Sequence, residues 1–366
     1  MTLPRIFVSV FCLVFLSMPA QALESSAGRL VVEPMLDGLD EPWSLAFLDN
    51  GDFLVTERGG RLLYVAGGVA TPVRGLPRIL AFGQGGLMDV IAARDFAQSR
   101  WLFFSYARPV GRAVGTAIGK AQLSADGTAL LNVQTIFSML PASEAGVHFG
   151  GRLVEDAQGR LFLTIGDRGG KMTAQDRATH AGSVIRINPD GTIPADNPFV
   201  GDPEILPEIW SYGHRNPQGA ALDEQGRLWI NEHGARGGDE VNLIRRGANY
   251  GWPVITYGRD YDGSTIGIGQ RKAGMQQPEH YWDPSIAPSG MMIYSGKLWP
   301  QWRGQFFIGS LKFDYIARLD PTAGFAEEAL QSRETGRVRD IREAPDGSIW
   351  FLSVDRGAVY RITPGS

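Results

Sequence analysis

A tight acidic or polar turn leading into a short aromatic and β-branched strand recurs along this chain, and the recurrence constrains the fold more than any other feature. Four clear copies run from Asp49 to Val55, Glu155 to Leu163, Asp223 to Ile230 and Asp346 to Leu352; looser copies run from Ser99 to Phe104 and from Arg303 to Ile308. They stand roughly 45 to 80 residues apart, a spacing of large supersecondary units. One turn and strand cannot bury its own apolar face, so each copy needs a neighbour to cover it. Radial stacking provides this, and six copies predict an all-β chain folded as a six-bladed β-propeller. A pair of β-sandwiches with chance Asp-Gly turns is the alternative left open by the unequal spacing.

The 366 residues could form two ordinary domains or one large all-β domain. Their 47 glycines and 22 prolines favour frequent turns over long helices. No flexible linker or low-complexity stretch interrupts residues 23–366, so a single domain is expected there. From Gly247 to Pro288 the chain is rich in Gly, Tyr, Trp and Pro with little alternation. Long loops on one face are expected over this interval, walling a site near the propeller axis.

The first residues carry one base, Arg5, an apolar run from Ile6 to Leu16, and the small-x-small sequence Ala20-Gln21-Ala22. This pattern predicts a signal peptide over 1–22 that is removed on secretion. The run is shorter than the roughly 20 residues a spanning helix needs, and no later stretch reaches that length, so no membrane span is expected. Cys12, the only cysteine, lies in the leader, which leaves the mature chain without disulfides or thiolate metal ligands. The formal charge is -4, and losing Arg5 makes the mature chain more acidic still, which argues against a general affinity for nucleic acid.

The densest clustering of charge and glycine lies between Trp210 and Asn242. Gly213 to Pro217 and Glu232 to Glu240 flank one short strand signal there, as expected where backbone closely approaches an anionic or metal-bearing ligand. None of the five histidines pair at i, i+4, so a helical zinc site is not expected. His148 sits among Gly146, Gly150 and Gly151, a frame that would let a substrate reach its ring, and it is the candidate general base. The loop Gly166-Asp167-Arg168-Gly169-Gly170 reads equally as a second charged loop of the site or as a solvated hairpin. No serine-nucleophile elbow, phosphate loop or dinucleotide fingerprint is present. Cations beside amides or glycines stand instead at Arg215-Asn216, Lys312, Arg337 and Arg339. The last two point the same way if residues 337 to 339 form a strand, and suit carboxylate recognition. Asp239, Glu240 and the segment Asn249 to Pro253 could offer oxygen ligands to calcium, without the spacing of an EF-hand.

Taken together, these motifs resemble the soluble pyrroloquinoline quinone-dependent sugar dehydrogenases, in particular the periplasmic aldose sugar dehydrogenases of the glucose/sorbosone dehydrogenase family. The resemblance is carried by Pro42 to Phe47, Thr56-Glu57-Arg58, Gly83 to Leu87, the His148 motif, Asp196 to Phe199, Gly213 to Gly219, Glu232 to Asn242, Asn249 to Pro253, Pro284 to Gly290 and Arg337 to Asp340. It implies a six-bladed propeller, in agreement with the repeats. It also implies pyrroloquinoline quinone (PQQ) as cofactor, its carboxylates and carbonyls held by Gln84, Arg215, Asn216, Lys312, Arg337 and Arg339, with Tyr261 beside it. His148 takes the proton of an aldose's anomeric hydroxyl, the C1 hydride passes to the quinone, and a lactone is released. Calcium is held by the carbonyls of Gly234 and Ala235, with a second ion near Glu240 and Tyr250. His214 and His233 are left with structural roles. By the same resemblance, Arg168 replaces a substrate-contacting Gln of glucose-preferring members.

The expected partners are thus an aldose substrate and an electron acceptor whose identity the sequence does not give. Two other classes fit a propeller: a calcium-dependent lactonase or esterase, which needs several Asn, Asp and Glu side chains on one metal, and a non-catalytic binding module, which leaves His148 without a purpose.

Overall fold

In the computed structural model, which describes residues 21–365, six antiparallel sheets follow one another along the chain. Blade I comprises strands Pro42–Phe47, Phe53–Glu57, Arg61–Ala66 and Val69–Val73, and blade II comprises Leu87–Ala92, Trp101–Val110, Ala113–Leu123 and Leu130–Ser138. Blade III holds Leu153–Glu155, Leu161–Ile165, Ser183–Ile187 and Ile209–Tyr212; blade IV holds Pro217–Leu222, Leu228–Glu232, Asp239–Leu243 and His280–Trp282. Blade V holds Pro288–Ile293, Phe306–Ser310, Ile316–Asp320 and Ala326–Leu330. Blade VI joins the two ends of the chain: Val338–Glu343, Ile349–Ser353 and Ala358–Pro364 pair on through Gly28–Leu36 to Gln21–Ser25. The first strand of each blade contacts the first strand of the next, which closes a six-bladed β-propeller.

Each of the six sequence repeats is the second strand of one blade together with the turn that enters it. The turn has a local cause. In blade III the Asp156 carboxylate accepts from the N–H groups of Gln158 and Arg160 at 2.9 and 2.8 Å, and in blade IV Asp223 does the same for Gln225 and Arg227 at 3.0 and 2.9 Å. A short acidic side chain thereby mimics a backbone turn. The second strands of blades I, III, IV, V and VI are buried along their whole length, because a neighbouring blade covers each face. That is why they read as continuous apolar runs.

The core is a set of seams between blades. Leu45 and Val55 meet Leu352 and Val359 between blades I and VI, and Phe103 and Ile118 meet Leu163 and Ile185 between blades II and III. Phe306 and Ile308 meet Trp229 and Val241 between blades IV and V. Each fully buried Leu, Ile or Phe contributes about 1.5–3 kcal/mol, and the ring shares that stabilisation among all its interfaces.

Charge, by contrast, occupies the axis. Asp89 of blade II accepts from Ser44 Oγ at 2.5 Å, from the Leu153 N–H at 2.8 Å, and from Arg152 and Arg342 at 3.2 and 2.9 Å. Asp340 of blade VI completes the cluster with Arg152 at 2.9 Å and Arg342 at 3.1 Å. Asp89, Asp340 and Arg152 are buried and Arg342 is partly buried, and their mutual pairing fixes the inner strands on which the site stands. Gly247 to Pro288 forms mostly loop, as expected, but contains the strand His280–Trp282. The expected leader, residues 1–22, lies outside the described residues except for Gln21 and Ala22, which begin the outermost strand of blade VI. No described helix is long and apolar enough to cross a membrane.

Candidate active site

One end of the axis holds a cavity of about 250 Å³. Gln84, Asn216, Arg337 and Arg339 line it, so four of the residues singled out in the sequence come from blades I/II, IV and VI to one place. Trp43, Arg58, Gln218 and His233 line it as well. Arg339 donates to Gln218 Oε1 at 2.9 Å and lies 5.7 Å from the centre of the Trp43 ring. Burial and the neighbouring guanidiniums of Arg337, Arg152 and Arg58 push its pKa down to about 9 against the pull of Asp340. It stays cationic at neutral pH, in a cavity where Arg58, Arg337 and Arg339 are met by one acid, Glu41, which pairs with Arg58 at 2.6 Å. Arg337 precedes the strand Val338–Glu343, in left-handed backbone at φ 47, and donates to the Leu311 carbonyl at 3.1 Å. The alignment expected from a continuous strand over 337 to 339 is therefore replaced by a turn, yet both side chains still reach the cavity.

His148 stands beside this cavity on the loop between blades II and III. Its main-chain N–H donates to Gln84 Oε1 at 2.8 Å, and its Nδ1 lies 2.6 Å from Asp167 Oδ1. The Asp167 side chain is fully buried. It also accepts from the Gly169 N–H at 2.7 Å and from the indole of Trp252 at 2.7 Å. Burial pushes its pKa up, but the His148 contact and charge and the two other donors more than offset this, and the carboxyl titrates below its usual range. Asp167 is thus an ionised carboxylate fixed against one nitrogen of His148. A carboxylate on Nδ1 selects the tautomer that leaves Nε2 free to accept a proton.

The glycine frame works differently from the expectation. It lets loops close on one another: a Cβ on Gly166 would run into the His148 carbonyl, and one on Gly83 into the Gly146 carbonyl. His148 itself adopts φ 53, and Arg168, Ala287 and Arg337 are likewise in left-handed backbone. Such strain costs on the order of 1–3 kcal/mol per residue and gathers at functional sites.

Arg168 is buried with its guanidinium turned onto the loop that carries His148. It donates to the carbonyls of Val147 at 2.9 Å, Val114 at 3.0 Å and Ala145, and stacks 3.7 Å from the Phe149 ring centre. Burial lowers its pKa to about 10, partly offset by Asp167. The substrate contact implied for this position is replaced by a loop clamp.

Arg215 and Asn216 enter from the start of blade IV. Arg215 lies 5.3 Å from the Trp252 ring centre and donates to the His233 carbonyl and the Tyr261 hydroxyl, each at 3.3 Å, while its Nε is buried without a partner. Asn216 accepts from the Gly150 N–H at 3.2 Å. Tyr261 and Lys312 line a second, larger groove next to Gly234 and Ala235. His233 borders both spaces. Its Nε2 lies 2.7 Å from the Pro288 carbonyl, and burial together with Arg215 lowers its pKa to about 3. His233, expected to be structural, contacts the Pro288 carbonyl while lining both spaces, and His214 is fully buried between Glu232 and Ser211.

Glu240 and Tyr250 border a narrow slot behind Gly234, together with Glu232. Burial and then the Glu232 charge raise the Glu240 pKa to about 8. Asn242 Nδ2 bridges the two carboxylates at 3.1 and 3.0 Å, and its own Oδ1 is buried without a partner. An acidic pair with a spare oxygen beside it suits a hard cation. The Tyr250 hydroxyl is committed elsewhere, donating to the Leu243 carbonyl at 2.6 Å, so only its main chain is left for such an ion. Among the described residues no three His, Cys, Asp or Glu side chains converge as a metal centre.

Three comparisons bear on this arrangement. A family model described as Glucose / Sorbosone dehydrogenase matches residues 39–361. The aldose sugar dehydrogenase YliI of Escherichia coli (strain K12) is 42% identical over 365 residues, covering 97% of this chain and 98% of that one. The crystal structure of the soluble aldose sugar dehydrogenase from Escherichia coli in the apo-form superposes with a TM-score of 0.86 at 41% identity, over 92% of this chain and all of that one. The PQQ-bound form of an aldose sugar dehydrogenase from Streptomyces coelicolor superposes with a TM-score of 0.76 at 26% identity, over 91% of this chain and 98% of that one.

Proposed function

The chain belongs to the glucose/sorbosone dehydrogenase family, a family of oxidoreductases, and from that premise we propose that it oxidises an aldose at C1 to the lactone with PQQ and calcium. The observation that supports this most is the His148–Asp167 pair standing beside a cavity lined by Arg58, Arg337 and Arg339. A tricarboxylate would relieve that crowding of positive charge, and the unpartnered Nε of Arg215 marks a further free donor. Gln84, Arg215, Asn216, Lys312, Arg337 and Arg339 hold the cofactor's oxygens, with Tyr261 alongside. The carbonyls of Gly234 and Ala235 hold one calcium, and Glu240 with the Tyr250 main chain holds a second. When bound, the quinone supplies the acceptor for the C1 hydride and the adjacent calcium supplies Lewis acidity.

The chain's own residues do the proton work. Nε2 of His148 accepts the proton of the anomeric hydroxyl, and Asp167 stabilises the imidazolium so formed. Arg168 and Gln84 hold the loop that presents the ring. The leader is removed on export, the protein works in the periplasm, and a separate acceptor there carries the electrons away. The lactonase reading needs side-chain oxygens converging on one ion at an open cavity, whereas the Glu232 and Glu240 carboxylates meet in a narrow slot behind Gly234.

His148→Ala tests the assignment. It is expected to bind PQQ with the wild-type Kd while losing turnover by about 10²–10⁴-fold. Lost quinone binding with normal turnover per bound cofactor would contradict the role.

A further inference from the structure

Trp43, Gln218 and Arg339 reach the cavity wall in the same way. Each is skipped by the pairing of the first strand of its blade. Pro42 stands opposite Glu57 and Ser44 opposite Thr56, which leaves Trp43 unpaired. Pro217 stands opposite Glu232 and Gly219 opposite Asn231, which leaves out Gln218. Val338 stands opposite Ser353 and Asp340 opposite Leu352, which leaves out Arg339. An extra residue of this kind is a β-bulge, a device that re-aims one side chain out of the regular alternation. Two of these bulge residues, Gln218 of blade IV and Arg339 of blade VI, meet across the axis.

The hydrogen bonds around Gln218 fix which way two amides point. A guanidinium can only donate, so the Gln218 atom that meets Arg339 Nη1 at 2.9 Å is the oxygen, Oε1. Its Nε2 therefore faces Asn216 and donates to Oδ1 at 3.1 Å. The Gly150 N–H donates to that same Oδ1 at 3.2 Å, which orients the Asn216 amide independently. Asn216 is left with Nδ2 and Arg339 with Nε and Nη2, and no described protein atom accepts from these nitrogens. Both residues line the cavity, so these N–H groups find their acceptors in what fills it. Gln218 is buried, with both ends of its own amide engaged, and it acts on a ligand through the two residues it joins. We propose that Gln218 is a positioning residue for the cofactor, a single amide that holds Asn216 and Arg339 with their free N–H groups turned together toward the quinone's oxygens. This rests on the proposed function. Without the bridge, Asn216 is held by Gly150 alone and Arg339 loses its only hydrogen bond among the described residues.

The test titrates PQQ into the purified protein in calcium-containing buffer, a binding measurement that needs no turnover. Gln218→Met keeps the volume, removes both hydrogen bonds, and is expected to raise the PQQ Kd about tenfold. A double-mutant cycle then separates positioning from other roles, because a bridge has less effect once one end is gone. In an Arg339→Ala background, Gln218→Met is expected to raise Kd by no more than about threefold. A second variant covers the case in which Gln218→Met does not fold. Gln218→Glu keeps the volume and the acceptor for Arg339 but offers Asn216 no donor, so the Asn216 amide turns its NH₂ from the cavity to the new carboxylate. Asn216→Ala is expected to weaken PQQ binding in the wild-type protein and to cost nothing further in Gln218→Glu. A PQQ Kd unchanged by the Gln218 variants, or losses that multiply in full in these cycles, overturns the proposal. Quinone binding indifferent to Gln218 sinks this inference alone; a wild-type protein that binds no quinone sinks the proposed function and this inference with it.

Discussion

Trp252 donates its indole N–H to Oδ2 of Asp167 at 2.7 Å across 85 positions of sequence, while Oδ1 of the same carboxylate lies 2.6 Å from Nδ1 of His148. A long-loop tryptophan thus orients the carboxylate that orients the candidate base. Replacing Asp167 by Asn removes the charge and frees the imidazole to take the wrong tautomer. Turnover is expected to fall by about 10²–10⁴-fold with the PQQ Kd nearly unchanged. The carboxyl pKa is lowered in the folded state, so its contribution to stability is present above the unfolded value of 3.8 and is lost as pH falls through the folded value. Asp167→Asn is therefore expected to flatten the acid limb of a thermal-midpoint-versus-pH curve between 3.8 and the lower folded value.

Arg168 reaches the His148 loop through the carbonyls of Ala145 and Val147 and the stacked ring of Phe149. Arg168→Gln is expected to lower kcat about tenfold to a hundredfold by displacing the ring, with the PQQ Kd within about twofold of wild type. A change confined to KM would show that the side chain touches substrate instead.

Burial, and then the guanidiniums of Arg337, Arg152 and Arg58, lower the Arg339 pKa to about 9. Arg339→Gln keeps a donor for Gln218 and removes one crowded charge. The thermal midpoint of the PQQ-free variant is expected to equal or exceed that of wild type, while quinone affinity falls at least tenfold. Calorimetry and quinone titration on the same preparation read both effects.

The axial cluster has a different signature. Asp89→Ala leaves the buried Arg152 and the partly buried Arg342 with only Asp340 as counter-charge. A loss of about 3–5 kcal/mol is expected, read as a lower denaturation midpoint.

Much of the ring was legible because each repeat carries its own turn chemistry, as at Asp156 and Asp223, and each second strand opens on at least three apolar residues. Asn216, Arg337 and Arg339 could be picked out as cations or an amide in glycine-containing clusters, Gln84 only by the family resemblance, and the four do share one cavity. The links that make the site specific were not visible. Asp167 could have been a solvated loop acid, and only the distant Trp252 and His148 make it a buried anion. Arg168 faces away from the cavity because its own backbone is left-handed and Phe149 offers a ring to stack on. His233 lies on the cavity wall through its contact with Pro288, 55 positions away. Such pairings join blades, and local pattern carries no trace of them.

The most direct measurement mixes purified metal-free protein with calcium and PQQ, separately and together, and follows reduction of an artificial acceptor on addition of an aldose. Activity that requires both additions, with lactone as the product, is the expected result. Failure to bind the quinone at any concentration, or aldose oxidation equally fast without it, would contradict the proposed function.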